Sequence, residues 1–191
     1  MNIAQSNVGK RKVRKVMLMA NDDLNRAIAN NVEYFISASS LEVVPEVATD
    51  EVIPWDGVDA TKASYPDFEK LNETLEDGVE YVLVLDVKEG NSPYFEVMPY
   101  YTKDPVDDKP RRDTTESKKA CEHMVAALKS LRCTPKSQHG AIEIDYKEVK
   151  TFNEIVNGDQ VFINLDMNCP AGYEGHISEA IARGIKKYFN R

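Results

Sequence analysis

The chain has 191 residues, a length that fits one folded domain with a single core. Hydrophobic residues make up 42% and charged residues 29%, which excludes disordered, collagen-like and coiled-coil chains. No apolar run reaches the ~18 residues of a membrane helix, and the first residues lack the apolar region and cleavage site of a signal peptide. We therefore expect a cytoplasmic or otherwise intracellular protein without a membrane span.

Charge divides the sequence into a basic arm, residues 1–15, and an acidic body. Five of the last six positions of the arm are cations: Lys10, Arg11, Lys12, Arg14 and Lys15. The arm carries +5 and the whole chain −8, so the other 176 residues carry −13. Such a body repels phosphate, whereas the arm offers contacts to a nucleic acid, an anionic lipid surface or the acidic body of a second copy. We expect residues 16–191 to form a single α+β domain.

The first structured segment is ambiguous from sequence. Residues 13–20 fit either a short strand or the opening turns of a helix, because periodicity alone does not separate the two. Asn21-Asp22-Asp23 then supplies side chains of the N-cap type, and apolar residues recur at helical spacing after them. A helix is predicted near 22–37.

A strand and a short helix are predicted next. Residues 41–48 alternate in polarity as a strand does, and Pro45 confines that strand to a sheet edge or a bulge. Ser64 to Asp67 form a capping box with proline at an early helical position, which predicts a helix near 65–76.

The run after Gly78 is apolar in successive positions, not in alternate ones. Residues 79–87 read VEYVLVLDV, which is typical of a central strand covered on both faces. A turn at residues 89–92 leads into a second strand ending at Tyr101, and the simplest pairing is a hairpin over 79–101. The following segment, 102–113, is polar and contains proline, so we predict a mobile loop.

The last third contains two more helices around another hairpin. Asp113 and Glu116 form the capping residues of a helix near 114–131. Asn157-Gly158 between alternating runs predicts a hairpin within 142–166, and an apolar stripe predicts a final helix near 176–189. Together these elements predict an α+β fold with a mostly antiparallel sheet.

The three cysteines are odd in number and widely spaced, which favours a reducing compartment over a disulfide-bonded secreted domain. Cys121, His123, Cys133 and His139 superficially suggest a zinc site. Residues two apart on a helix point in directions about 200° apart, so Cys121 and His123 do not share one ion. We predict that Cys121 is a buried structural thiol and that the protein holds no metal or cofactor.

One motif resembles that of the PD-(D/E)xK nucleases. Pro66-Asp67 is followed by Asp86-Val87-Lys88 at the end of the central strand, and Glu33 offers an upstream helical carboxylate. The resemblance implies a nuclease in which Asp67, Asp86 and Glu33 hold Mg²⁺ and Lys88 assists the attacking water.

Two apolar runs that end in aspartate also resemble the strands of response-regulator receivers. The first strand would end in Asp22 and Asp23, and the phosphoacceptor strand would end in Asp86 or in Asp166. Because two candidates compete for one place, and the expected threonine or serine and lysine strand ends are missing, we interpret this likeness as coincidence.

The function predicted from these observations is a non-catalytic subunit that works by protein–protein contact. A cationic arm and an acidic body suit a homo-oligomer or larger assembly, such as a virion-type particle, with other protein subunits as partners. A Mg²⁺-dependent nuclease is the alternative, and an acidic inhibitor of a nucleic-acid-binding enzyme is the second alternative.

Overall fold

The computed structural model describes residues 13–20, 22–44, 78–102, 115–136, 142–144 and 160–190. The helices in these ranges are α1 (Asp23–Ile36), α2 (Thr115–Leu128) and α3 (Glu174–Phe189), with a 3-10 turn at Lys129–Leu131. The strands are β1 (Arg14–Ala20), β2 (Leu41–Val44), β3 (Val79–Glu89), β4 (Tyr94–Thr102), β5 (Thr134–Pro135), β6 (Ile142–Ile144) and β7 (Val161–Cys169).

The strands form a mixed sheet in the order β2-β1-β3-β7-β4-β5, with β6 also paired to β4. β1 runs parallel to β2 and β3, and β3 runs parallel to β7. β4 is antiparallel to β7 and parallel to β5 and β6. The predicted α+β class is confirmed, but the prediction of a mostly antiparallel sheet is wrong, since most of the pairings are parallel.

Helical crossovers and two-sided burial explain the parallel pairings. α1 lies between β1 and β2 in the chain, and a crossover of this kind returns the chain in the same direction. From Tyr81 to Val87, β3 is buried without interruption, as parallel strands covered on both faces are.

Both predicted hairpins need correction. Strand β7 lies between β3 and β4, so 79–101 does not form a hairpin although the connecting turn is short. That turn passes over the end of β7, where the Gly90 amide donates to the Cys169 carbonyl oxygen at 3.1 Å. In the 142–166 segment, β6 pairs with β4, whereas β7 pairs with β3 and β4. The Asn157-Gly158 turn lies outside the described residues.

The two faces of the sheet differ in what covers them. The larger core cluster joins odd-numbered β3 and β7 residues, such as Leu83 and Leu165, to all three described helices. We call this side the helix face. Even-numbered residues such as Val82 and Phe162 point to the other side, here called the opposite face, where Met17 and Met19 of β1 also pack.

Most element predictions within the described ranges are confirmed. Residues 14–20 are a strand, β2 is an edge strand, and the helices predicted at 22–37, 114–131 and 176–189 are present. The helix at 65–76 and almost all of the loop at 102–113 lie outside the described residues. None of the three described helices has the length and apolarity that a membrane crossing requires.

Candidate functional site

Aspartates gather where the parallel strands end. Asp22 follows β1 and caps α1, Asp86 lies near the end of β3, and Asp166 lies near the end of β7. Because these strands are parallel, their carboxyl ends meet at one edge of the sheet. Open α/β sheets bind ligands at this edge.

Asp86 and Asp166 are direct neighbours across two hydrogen-bonded strands. They pair in the parallel register between β3 and β7, whose backbones lie about 4.8 Å apart. Leu85 and Leu165 point to the helix face, so both aspartates point to the opposite face. Asp86 is 6% exposed and Asp166 is 3% exposed, which makes them a buried carboxylate pair.

The environment of Asp86 favours its protonated form. Burial is the main cause that raises the pKa of this carboxyl, and the nearby carboxylates of Asp166 and Asp22 raise it further. Lys88 opposes the shift, because its Nζ lies 3.3 Å from Asp86 Oδ2. The pair thus contains one carboxyl group that holds its proton to higher pH than a solvated aspartate does.

This shift makes the stability effect of Asp86→Asn depend on pH. A carboxyl group with a raised pKa in the folded state stabilises the fold below its unfolded pKa, and this contribution is lost as pH rises through the folded pKa. We therefore expect the free energy of unfolding of Asp86→Asn to rise relative to that of the wild type as the pH increases from about 3 to about 7. Urea unfolding at several pH values measures the difference. A difference that stays constant with pH would contradict a raised pKa.

Two side chains on β7 carry buried polar atoms without a hydrogen-bond partner. These atoms are Asn164 Nδ2, Asn164 Oδ1 and Asp166 Oδ1. Asn164 is completely buried and points to the opposite face, as Asp166 does. An unpaired buried polar group costs about 1–3 kcal/mol, so three such atoms within one short stretch of strand need an explanation.

Asn25 fixes the start of α1 against β3 beside this pair. Its backbone amide and its Nδ2 donate to the two carboxylate oxygens of Asp22, each at 2.8 Å. Its Oδ1 accepts from the Val87 amide at 2.9 Å, and its Nδ2 also donates to the Val87 carbonyl at 3.2 Å. The pairing of β1 with β3 ends at Leu85, so the Asn25 side chain continues the ladder that β1 has left.

The structure brings together two of the four residues predicted for a nuclease. Asp86 and Lys88 are in contact, as described above. Glu33 lies ten residues after Asp23 along α1, which is about 15 Å of helix, and it lines a cleft between α1 and β2. Asp67 lies outside the described residues.

The predicted basic arm lies mostly outside the described residues, which include only Arg14 and Lys15 of its cations. Both belong to β1. The Arg14 guanidinium bonds to the Glu80 carboxylate and lies 5.7 Å from the centre of the Phe189 ring. The function of the arm stays a prediction.

All three cysteines are free thiols. Cys121 is buried in the core, and burial raises its pKa to about 12, as expected for a structural thiol. Within the described part of the chain, no group of three His, Cys, Asp or Glu side chains is placed to hold a metal ion together.

Sequence reasoning missed Asn25 and Asn164 and assigned no role to Asp166. The signal for Asn164 was present in the apolar run VFINLDM, where asparagine and aspartate occupy alternate positions and thus share one face. Asn25 left no comparable signal, because its partner, Val87, lies 62 residues away in the chain.

Several solved structures that share this fold over almost the entire chain are described as N-acetylmuramoyl-L-alanine amidases. One from Mycobacterium smegmatis has a TM-score of 0.59 at 11% identity, covering 93% of this chain and 97% of its own. One from Nostoc punctiforme has a TM-score of 0.54 at 11% identity, with coverages of 96% and 100%. One from Clostridium difficile 630 has a TM-score of 0.52 at 14% identity, with coverages of 94% and 98%.

The sequence itself matches no protein-family model and no curated protein. At these low identities the structural likeness establishes the fold, which is that of the amidases. This finding contradicts the predicted non-catalytic role in an assembly or a virion-type particle, because several structures that share the fold over nearly their whole length are described as amidases. The same finding contradicts the predicted nuclease and the predicted acidic inhibitor, because these structures are described as amidases and not as nucleases or inhibitors.

Proposed function

We propose that this protein hydrolyses amide bonds, with a substrate of the N-acetylmuramoyl-L-alanine class. The observation that carries the proposal is the buried pair Asp86 and Asp166, in register near the carboxyl ends of two parallel strands. The fold shared with amidases along the full length of those chains supports this choice of bond.

The two carboxyl groups suit the two proton transfers that amide hydrolysis needs. Asp166 has a buried Oδ1 without a partner, and in the proposed scheme this oxygen accepts a proton from an attacking water. Burial raises the pKa of Asp86, which favours this carboxyl group as the proposed proton donor to the departing nitrogen. The C–O bond forms as the C–N bond breaks, and the products are a carboxylic acid and an amine. A proton that passes from Asp166 to Asp86 restores the starting state.

Lys88 has a supporting role in this scheme. Its Nζ at 3.3 Å from Asp86 Oδ2 holds the carboxyl group in place and stabilises the carboxylate that remains after proton donation. The Lys88 side chain is 47% exposed, so solvent weakens this stabilisation. Lys88 thus positions Asp86 and is not itself the proton donor.

The intracellular location is also a proposal, and the three free cysteines support it. In this scheme, the substrate inside the cell is a small soluble muropeptide.

The basic arm, residues 1–15, is proposed to contact an anionic partner, because it contains five cations and no acidic residue.

The test is an assay for new primary amines released from a soluble N-acetylmuramoyl-L-alanyl peptide. The wild type is expected to release L-alanine amino termini, and the double variant Asp86→Asn with Asp166→Asn is expected to release none above background. Asp23→Asn is the control, since it makes the same kind of replacement at a fully exposed position. No release by the wild type, or equal release by the double variant, refutes the proposed function.

A further inference from the structure

We propose a second site, distinct from the carboxylate pair, that binds a phosphate group in a pocket at the other end of the sheet. The pocket has a volume of about 200 Å³ and lies between the start of β1, the segment that joins α1 to β2, and the end of α3. Its polar lining consists of Arg14, Ser39, Ser40, Lys186 and Asn190. Two of these residues are cations, and no acidic residue is among the described residues that line the pocket.

The guanidinium group of Arg14 is held in place at this pocket and keeps further donors. It bonds to the Glu80 carboxylate and lies 5.7 Å from the centre of the Phe189 ring, which also lines the pocket. An arginine has five N–H donors, and the bond to Glu80 uses one of them, on Nη1. A planar guanidinium group suits phosphate because two of its donors fit two oxygens at once. Arg14 is thus a preorganised donor for an anion.

Lys186 supplies more donors than the end of α1 requires. Its Nζ donates to the Phe35 carbonyl oxygen at 2.6 Å, and an ammonium group has two further donors. The other carbonyl oxygens in the last turn of α1 accept hydrogen bonds from Ser37 and Ser39. Because the whole turn is paired in this way, the helix needs no additional donor from the lysine. Two donors of Lys186 are therefore left for a ligand.

Neutral donors complete the set and favour phosphate over carboxylate. The Ser40 carbonyl oxygen accepts from the Arg14 amide at 3.1 Å, which fixes the serine beside the arginine. Ser40 adds a hydroxyl group to the lining and Asn190 adds a side-chain amide. A carboxylate has two oxygens to accept from these donors, whereas a phosphate group has three and carries more negative charge. Donors from three separate segments of the chain therefore match a phosphate group better.

The pocket lies far from the proposed catalytic pair. Lys15 follows Arg14 in β1 and pairs with Val79 at the start of β3. Asp86 lies seven residues further along that strand, which is about 23 Å at roughly 3.3 Å per residue. A phosphate group bound here does not reach the carboxyl ends of the strands. The inference is therefore independent of the proposed hydrolysis and is tested by binding alone.

The experiment measures binding of inorganic phosphate, phenyl phosphate and acetate by calorimetry at constant ionic strength. Lys186→Gln is expected to weaken phosphate binding at least tenfold, because it removes a charge-assisted hydrogen bond. Lys187→Gln is the matched control, since it removes the same charge from the next residue of α3, which is exposed, and should leave binding within about twofold of the wild type. Ser40→Ala, at an exposed position outside the helices and strands, should weaken binding about threefold.

Saturable binding of either phosphate compound with this pattern of variants supports the site, and the tighter of the two shows whether free or esterified phosphate is preferred. Acetate is expected to bind at least tenfold more weakly than phosphate. The inference is overturned if neither phosphate compound binds the wild type, if acetate binds as tightly, or if Lys186→Gln weakens binding no more than Lys187→Gln does. Should Lys186→Gln not fold, wild-type affinity in Ser40→Ala overturns it.

Discussion

Asp166→Asn is expected to lower the rate of amide hydrolysis by about 100-fold or more, the usual contribution of a positioned general base. Asparagine has nearly the same shape but does not accept a proton from water at neutral pH. The buried Oδ1 of Asp166 has no partner in the fold, so the substitution removes the base without breaking a hydrogen bond to that atom. Initial rates of amine release, measured at substrate concentrations above and below KM, give the change in kcat and KM separately.

The loss should be in kcat, because the base acts in the transition state and not in substrate binding. Thermal unfolding is expected to show that Asp166→Asn is folded, and Asp23→Asn, whose side chain is fully exposed, should keep the wild-type rate. A variant that keeps more than a tenth of the activity would exclude Asp166 as the base. A loss confined to KM would assign it to binding instead.

Helices could be predicted from this sequence because their signals are local. Asp22 caps α1 through a bond to the Asn25 amide three residues away, and N-cap side chains at this point were visible in the sequence. The apolar stripe of α3, from Ile177 to Ile185, likewise repeats within one segment. Signals of this kind fix an element and its buried face without reference to the rest of the chain.

Strand pairing could not be predicted because its determinants are distant in sequence. The short turn after Glu89 favours a local hairpin, but β7 enters the sheet between β3 and β4 from more than 60 residues further along. The continuous apolar run of β3 was visible in the sequence, and burial on both faces is typical of parallel strands. This run was therefore a better guide to strand direction than the short turn.

The candidate site depends on the same distant pairing. Asp86 and Asp166 each looked like an ordinary aspartate after an apolar run, and the two competed for one position in a resemblance to receivers. Parallel register places them side by side instead. Lys88 was correctly associated with Asp86, because residues two apart on a strand share a face and that proximity is local.

Asn25→Ala is expected to lower the free energy of unfolding by about 3 kcal/mol, the largest stability effect that we predict. The substitution leaves the buried amide and carbonyl of Val87 unpaired, since β1 no longer runs beside β3 at that point. Each unpaired buried group costs about 1–3 kcal/mol. The bond from Asn25 Nδ2 to Asp22 Oδ2 is lost as well, which weakens the cap of α1.

Urea unfolding monitored by circular dichroism measures this effect, with Asn31→Ala as the control. Asn31 is an exposed residue of the same helix, so its replacement should change stability by less than about 0.5 kcal/mol. The two variants share the same change in helix propensity, and the difference between them measures the side-chain bonds of Asn25 to β3 and to Asp22. Because Val87 adjoins Asp86, losing the hydrogen bonds between Asn25 and Val87 is also expected to lower hydrolytic activity in Asn25→Ala at temperatures where the variant is still folded. Equal stability of the two variants would show that Asn25 does not hold α1 to the strand that carries Asp86.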